Sequence, residues 1–193
     1  MLRRLYDWVM ALAGRRHAIW ALAGVSFAES AFFPIPPDVL LIPMVLADRR
    51  RAWRIAGVCT LASVLGGLLG YAIGLWLFDA VGQPLLEFYG SEEKFSQFQE
   101  YYNEWGGWIV GAGGFTPLPY KVITIASGVT RLDIGIFILA SVVARGLRFY
   151  IVAALLWRYG EPVRNFIERH LGKLALLFIV LLVGAFVLLK LLV

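Results

Sequence analysis

A twelve-residue segment occurs twice in this chain, and each copy carries two prolines separated by one residue. Residues 32–43 read FFPIPPDVLLIP, and residues 115–126 read FTPLPYKVITIA. Aligned without gaps, the copies share phenylalanine, two prolines, valine and isoleucine, and they place Asp38 opposite Lys121. Proline lacks a backbone N–H and clashes with the preceding helical turn. Each copy must therefore interrupt any helix that contains it.

Both copies lie in long apolar stretches of an apolar chain. Hydrophobic residues make up 60% of the 193 residues, and the mean hydropathy is +0.75. These values are typical of an integral membrane protein with one membrane domain. Helices broken at matching places in two halves of such a protein indicate a transporter-type site near the middle of the bilayer. Two unrelated proline kinks are the alternative.

Apolar and charged stretches divide the single predicted domain, residues 1–193, into shorter segments. They are an interfacial amphipathic helix at 1–16, a broken segment at 18–47, a transmembrane helix at 55–78, an external acidic amphipathic segment at 79–104, a second broken segment at 105–129, and transmembrane helices at 134–157 and 174–193. Within 55–78, glycines recur at four-residue intervals at Gly66, Gly70 and Gly74. This spacing predicts close packing against another helix.

Basic residues predict how the broken segments meet the membrane. Crossing takes about 20 helical residues, so 18–47 is too short to cross twice and longer than one crossing needs. The positive-inside rule favours a re-entrant hairpin, with the arginines at 15–16 and 49–54 and the N-terminus all cytoplasmic. The second broken segment then enters from the opposite face. We predict an all-α membrane fold with two opposed re-entrant hairpins in an inverted repeat, about three transmembrane helices and the N-terminal amphipathic helix.

Five ionisable residues lie at membrane depth in this topology: Glu29, Asp38, Lys121, Arg145 and Arg148. Each costs roughly 2.5–3.5 kcal/mol at a helix centre, so each is a candidate functional residue. Arg145 and Arg148 are three residues apart and share a helix face. Three cations against two carboxylates suit an anionic head group such as a phosphate, which Lys121, Arg145 and Arg148 would bind.

The hairpin tips add backbone N–H donors that the prolines leave free. The tip prolines are Pro34, Pro36, Pro37, Pro117 and Pro119. Glu29 and Asp38 could gate the cavity or carry a coupling proton. If the tips meet, Asp38 and Lys121 could also form an ion pair across them. The alternative is that all five charges form ion pairs that only fix the helices.

An enzyme, a metal site and a nucleic-acid-binding module are not expected. His17 and His170 lie on separate loops and form no metal-binding pair. Neither a serine nor the single cysteine has a partner base at a spacing typical of a catalytic site. The arginines lie at membrane edges or inside the membrane, without a basic and aromatic module for nucleic acid. We therefore predict no cofactor and no nucleic-acid partner.

Three motifs resemble those of the DedA family. They are ESAFFPIPPD at 29–38, GFTPLPYK at 114–121 and ARGLRF at 144–149. The resemblance covers nearly the whole chain and is closest to the short, YqaA-like branch. These proteins share a domain with the eukaryotic SNARE-associated Golgi proteins and the VTT lipid scramblases.

The resemblance implies two opposed re-entrant hairpins, a bacterial inner-membrane location and lipid transport. It makes Glu29 and Asp38 the membrane acids and places Arg145 and Arg148 in the arginine-bearing helix. Family roles include the return of undecaprenyl phosphate across the membrane and the movement of phospholipids, in some members dependent on proton motive force. Many members carry an arginine where this chain has Gly114, and another where it has Lys121. A lysine grips a phosphate less firmly than an arginine, since it cannot bind bidentately.

The function expected from the sequence is a flippase or scramblase for a phosphate-bearing lipid, either undecaprenyl phosphate or a phospholipid, with protons as a candidate coupling ion. One alternative is a proton-coupled carrier of a small solute or drug cation, which the two acids favour and the three cations disfavour. The other is a structural membrane factor without transport, favoured if the charges pair with one another and leave no open cavity.

Overall fold

The computed structural model describes residues 18–90, 92–116, 119–160 and 162, and this part of the chain consists of helices joined by short turns, without a strand. The α-helices are α1 Ala18–Ala31, α2 Asp38–Ala47, α3 Ala52–Leu77, α4 Gln83–Tyr89, α5 Glu92–Phe115, α6 Tyr120–Val129 and α7 Ile134–Gly160. The all-α prediction is confirmed for these residues. The predicted helices at 1–16 and 174–193 lie outside the described residues.

Two helical stretches are long and apolar enough to cross a membrane. One is Arg49–Phe88, which contains α3, and the other is α7. They run antiparallel. At one end, the rings of Trp53 and Tyr150 stack with centroids 6.0 Å apart. At the other end, the Tyr71 hydroxyl donates a hydrogen bond of 2.7 Å to the Leu132 carbonyl.

The prolines interrupt the helices at both predicted places. The first break separates Ala31 from Asp38, and Pro37 is the residue before α2. The second separates Phe115 from Tyr120, and Pro119 is the residue before α6. Pro117 lies outside the described residues. Both helices that follow a break have 10 residues, so the sequence repeat is also a repeat of local structure.

The first broken segment packs along one half of α3. Ser26 Oγ donates to the Cys59 carbonyl at 2.8 Å, and the hydroxyls of Ser30 and Ser63 lie 2.7 Å apart. Helix α1 therefore runs from the start of α3 towards its middle. Helix α2 returns, and its Val45 packs in one core with α3 and α7. The start of α1 and the end of α2 thus both lie beside the N-terminal end of α3.

The second broken segment occupies the other half. Phe95, near the start of α5, stacks on Phe78 with ring centroids 4.7 Å apart. At the end of α5, Gly114 lies against Ala144, near the middle of α7. Helix α6 then returns along α3, so that Gly128 lies against the Tyr71 backbone. The two breaks therefore come together near the middle of α3 and α7.

The sequence predicts a boundary between an external segment at 79–104 and a broken segment at 105–129. In the structure, no helix begins or ends at this boundary. A π-helical turn, Phe78–Gly82, continues α3 into α4, and α5 runs without interruption from Glu92 to Phe115. Gly106 and Gly107 do not end α5, because a Cβ at either would meet the side chains of Leu132 and Ile136, respectively, across a helix contact. Tertiary packing therefore overrides the weak helix propensity of glycine here.

The predicted close packing at the glycine stripe of α3 is confirmed. A Cβ on Gly66 would collide with the Phe27 carbonyl of α1, and one on Gly74 would collide with the Ile125 carbonyl of α6. Gly70, between them, lies against Thr124 of α6 and the Ser30 carbonyl of α1. One stripe thus holds both broken segments, which explains how two short helices can pack so closely against α3.

Candidate functional site

The guanidinium of Arg145 is enclosed where the broken segments meet α7. Its side chain is 2% exposed, and Nη2 donates to Glu29 Oε2 at 2.7 Å. The guanidinium carbon lies 4.8 Å from the ring centre of Tyr120 and 4.7 Å from that of Phe149. A cation against aromatic faces in a buried site gains electrostatic stabilisation from both rings. Arg145 is therefore held by an anion and two rings.

A chain of small polar groups fixes this arrangement. Arg145 Nε donates to Ser63 Oγ at 2.6 Å, and Ser63 in turn lies 2.7 Å from the Ser30 hydroxyl. Ser30 Oγ also donates to Glu29 Oε2 at 3.2 Å. The two serines, one on α1 and one on α3, thus link the carboxylate to the guanidinium by a second route. Such a closed network in a buried site defines one geometry for its members.

Arg148 joins the two breaks directly. Its Nη2 donates to Asp38 Oδ2 at 2.7 Å, and its Nη1 donates to the Thr116 carbonyl at 3.0 Å. Asp38 is the first residue after the first break, and Thr116 is the first residue of the second. The side chains of Arg148 and Asp38 are 22% and 21% exposed, so this pair is more accessible than the Arg145–Glu29 pair.

Lys121 makes a weaker contact across the same gap. Its Nζ lies 3.4 Å from the Phe33 carbonyl in the first break, which is at the long limit for a hydrogen bond. Among the residues that the structure describes, no carboxylate lies within ion-pair distance of Lys121. The hypothesis of a direct Asp38–Lys121 pair is wrong for this conformation, because Asp38 is turned to the guanidinium of Arg148.

The structure therefore brings together all five ionisable residues that the sequence singled out, and it also reveals partners that the sequence reasoning missed. Ser30, Ser63 and Tyr120 are fully or almost fully buried at this site. Ser26 and Ser30 stand one helical turn apart in an apolar segment, and that spacing was the available signal for a polar contact face. The role of the Thr116 carbonyl as an acceptor could not be predicted from the sequence, because every residue has a backbone carbonyl.

The geometry divides the three cations into two kinds. Arg145 has its neighbours in place and almost no exposed surface. Arg148 donates to a backbone carbonyl of the second break and Lys121 to one of the first, and both side chains are partly exposed. An incoming anion could replace those neutral acceptors with a stronger, charge-assisted one. In the described part of the chain, no group of His, Cys, Asp and Glu side chains could hold a metal ion.

Comparison with known proteins places this arrangement in a family. Residues 35–158, which include the end of the first break, the whole second break and both arginines, match the model of the VTT domain. An uncharacterized protein of Haemophilus influenzae is 36% identical over 186 residues, covering 96% of each chain. An uncharacterized protein of Histophilus somni is 34% identical over 168 residues, covering 85% of this chain and 87% of that one.

A more distant relative is described as a membrane protein. YkoX of Bacillus subtilis is 28% identical over 126 residues, covering 63% of this chain and 56% of its own. No solved structure matches the chain significantly. The match to the domain model spans most of the chain, and the Haemophilus protein aligns over almost all of it. The chain therefore belongs to the VTT-domain family of membrane proteins, the family of the DedA and SNARE-associated proteins.

Proposed function

We propose that this protein is a lipid translocase that moves a phosphate-bearing lipid across the bilayer. The head group would pass between the two breaks while the acyl tails stay in the membrane. Its substrate would be a phospholipid or undecaprenyl phosphate, and the protein would lie in the cytoplasmic membrane of a bacterium. The single observation that carries the proposal is the contact of Arg148 with both breaks at once.

The bridging contacts of Arg148 make it suited to exchange partners. A phosphate oxygen accepts hydrogen bonds more strongly than the Thr116 carbonyl, and a guanidinium can hold two such oxygens in its planar fork. Binding of the head group would therefore compete with the bridge between the breaks. Lys121 would supply the second positive charge, because the Phe33 carbonyl is a weak partner at 3.4 Å. Substrate binding and separation of the tips would thus be one event.

Arg145 has a different role in this proposal. Its guanidinium is enclosed by Glu29, Ser63 and two aromatic rings. It would position the tips and set the local field, and direct contact with the head group would fall to Arg148 and Lys121. Glu29 and Asp38 each accept from an arginine, so protonation of either would weaken one ion pair. This is how a proton could couple to opening.

The placement in the membrane follows the same proposal. Each broken segment would be a re-entrant hairpin, and the two would enter from opposite faces as an inverted repeat. Support comes from α1 and α2, which both pack at the N-terminal half of α3, and from α6, which packs at its other half. Single cysteines at Arg16 and Arg51 in a Cys59→Ala background should label from the same, cytoplasmic side. Labelling from opposite sides would exclude the first hairpin.

Lipid exchange in proteoliposomes that contain only this protein tests the function. Vesicles with a fluorescent phosphatidylglycerol in both leaflets are treated with an external quencher that cannot cross the bilayer. Wild-type protein should allow quenching of inner-leaflet lipid. Arg148→Gln should slow it at least tenfold, which corresponds to the loss of about 1.4 kcal/mol from one charge-assisted contact.

The matched control is Arg158→Gln. Arg158 is on the same helix but is exposed and lies over the ring of Tyr159, away from the breaks. At equal protein amounts, the Arg158→Gln variant should exchange lipid at the wild-type rate. Equal rates for Arg148→Gln and the wild type would remove Arg148 from the transport path, and with it the proposal.

A structural membrane factor without transport is the second candidate. It is favoured by the ion pairs, since Glu29 and Asp38 each have an arginine partner at 2.7 Å. In that case the charges would only tie the first broken segment to α7. Vesicles with wild-type protein would then show no exchange above empty vesicles, although Arg145→Gln would still lower the melting temperature.

A further inference from the structure

A second candidate site lies away from the breaks, beside the ends of both long helices. A cavity of about 370 Å³ opens where α3 passes through the π-helical turn Phe78–Gly82 into α4. Arg131, in the turn between α6 and α7, forms part of its wall. Its volume is at the lower end of the range for small-ligand pockets. It therefore suits a head group better than a whole lipid.

Two aromatic rings line the cavity. Phe78 and Phe95 line it and stack on each other with an interplanar angle of 18°. Phe78 is the first residue of the π-helical turn. Such turns are rare inside α-helices and are frequent at functional sites. The extra residue in the turn shifts the following residues around the helix axis. Here it places an aromatic ring in the lining of the cavity, where α3 ends.

One wall carries a cation in an unfavourable backbone conformation. Arg131 has a φ of +53°, a left-handed conformation usually taken by glycine or asparagine at the end of a helix. Its Nη2 donates to Asp79 Oδ1 at 2.6 Å, and both side chains are about half exposed. A guanidinium has five N–H donors, so this single contact leaves it able to bind an anion as well.

The remaining polar groups differ from those at the breaks. Glu87 contributes a carboxylate to the lining, and among the described residues no cation forms an ion pair with it. Gln83, Ser96 and Gln99 add neutral hydrogen-bonding groups. Gln99 Nε2 also donates to the Thr130 carbonyl at 2.8 Å, which ties the wall to the turn of Arg131. Among the described residues, the lining thus has one cation, a carboxylate without an ion pair and two stacked phenylalanines.

We infer that this cavity binds the head group of a zwitterionic phospholipid with a primary ammonium, of the phosphatidylethanolamine class. Arg131 holds the phosphate, and Glu87 accepts hydrogen bonds from the ammonium. The phenylalanines carry the start of the acyl chains into the bilayer, beside the end of α3. An anionic head group without an ammonium satisfies Arg131 alone and leaves Glu87 as a repelling charge. The site does not depend on translocation through the breaks.

The test uses full-length protein in detergent and measures retention of short-chain lipids by native mass spectrometry. The probes are dihexanoyl phosphatidylethanolamine and dihexanoyl phosphatidylglycerol. Wild-type protein should prefer the ethanolamine lipid. Glu87→Gln should weaken its binding about tenfold and leave the glycerol lipid as tightly bound or tighter. Arg131→Asn should weaken both about tenfold, since asparagine tolerates the left-handed turn but carries no charge.

Two controls locate the bound lipid. Glu93→Gln removes an exposed carboxylate from the same acidic region without touching the cavity, and it should leave both affinities unchanged. Arg158→Gln should also leave both affinities unchanged, because Arg158 lies over the ring of Tyr159 and lines neither the cavity nor the breaks. If Glu87→Gln keeps the wild-type preference, or if Arg131→Asn binds both lipids as tightly as the wild type, the site is not this cavity. Failure of lipid exchange by wild-type protein would overturn the translocase and leave this result intact.

Discussion

The two proline breaks share a backbone pattern but differ in how their charges are satisfied. At equivalent positions, Phe32 and Phe115 are both exposed, and so are Val39 and Val122. Yet Asp38 has a guanidinium at 2.7 Å, whereas Lys121 has only a backbone carbonyl at 3.4 Å. The repeat therefore duplicated the helix break and not the electrostatics around it.

The difference shows which segment is tied to the rest of the molecule. The first is bound to α7 by two ion pairs, through Glu29 and Asp38. The second has no ion pair to α7 among the described residues. It is held by backbone acceptors, through the hydrogen bond from Arg148 to the Thr116 carbonyl at 3.0 Å and the one from Thr124 to the Ser30 carbonyl at 3.2 Å. Charge changes in the first segment should therefore alter stability, and the charge of the second should alter function.

The largest effect is expected from breaking the enclosed pair. Arg145→Gln leaves the Glu29 carboxylate without its cation in a site that is largely shielded from water. Removing one partner of a buried pair costs about 3–5 kcal/mol of unfolding free energy. Thermal unfolding in detergent should show a clear fall in melting temperature. The double variant Glu29→Gln/Arg145→Gln should recover part of it, and a single variant as stable as the wild type would contradict the pairing.

Substitutions in the glycine stripe, followed by stability measurements, test whether the two broken segments pack equally closely against α3. Gly66→Ala places a methyl group against the Phe27 backbone of the first segment, and Gly74→Ala does so against Ile125 of the second. Overpacking against backbone costs about 1–3 kcal/mol, and both variants should lose similar stability. Gly24→Ala is the control, because nothing lies within 4 Å of its added Cβ. A loss confined to Gly66→Ala would show that only the first segment is closely packed.

The sequence predicted the features that depend on the chemistry of single residues, and it did not predict those that depend on how the helices pack. The proline breaks and the glycine stripe were predictable, because proline and glycine act through local geometry. The five charged residues were predictable, because ionisable groups are costly in apolar helices. The sequence did not predict which of these charged residues form ion pairs with one another. Asp38 turned out to face Arg148, since that choice depends on how α2 and α7 pack. The unbroken course of α5 through Gly106 depended on packing in the same way.

A smaller effect should show which cation Asp38 recognises. Asp38→Asn and Arg148→Gln, alone and combined, should give a coupling free energy of about 1 kcal/mol, because the two side chains share a charge-assisted hydrogen bond that is partly exposed. The same cycle with Lys121→Gln in place of Arg148→Gln should give a coupling within about 0.3–0.5 kcal/mol of zero. Chemical unfolding in detergent provides the values. A strong Asp38–Lys121 coupling would reverse the assignment of partners made from the distances.

The smallest stability effect is expected at Lys121, and there the two segments should differ most in function. Lys121→Gln removes a charge that has no carboxylate partner among the described residues, so its melting temperature should match the wild type, with a change within about 0.5 kcal/mol. Lipid exchange should nevertheless fall about tenfold, because the head group loses one of two accessible cations. Lys121→Arg should keep the activity, since a guanidinium binds phosphate at least as firmly.

Comparing Lys121→Gln with Asp38→Asn shows whether the opposite charges at this position of the repeat have different roles in stability and in lipid exchange. Asp38→Asn weakens the bridge to Arg148 and should lower stability, but it leaves both accessible cations in place, so exchange should persist or become faster. If Lys121→Gln destabilises the protein as much as Asp38→Asn does, both charges serve the fold, and the two breaks are electrostatically equivalent. If only exchange falls, the reversed charge is what turned one copy of the repeat into an anchor and the other into a contact for the lipid phosphate.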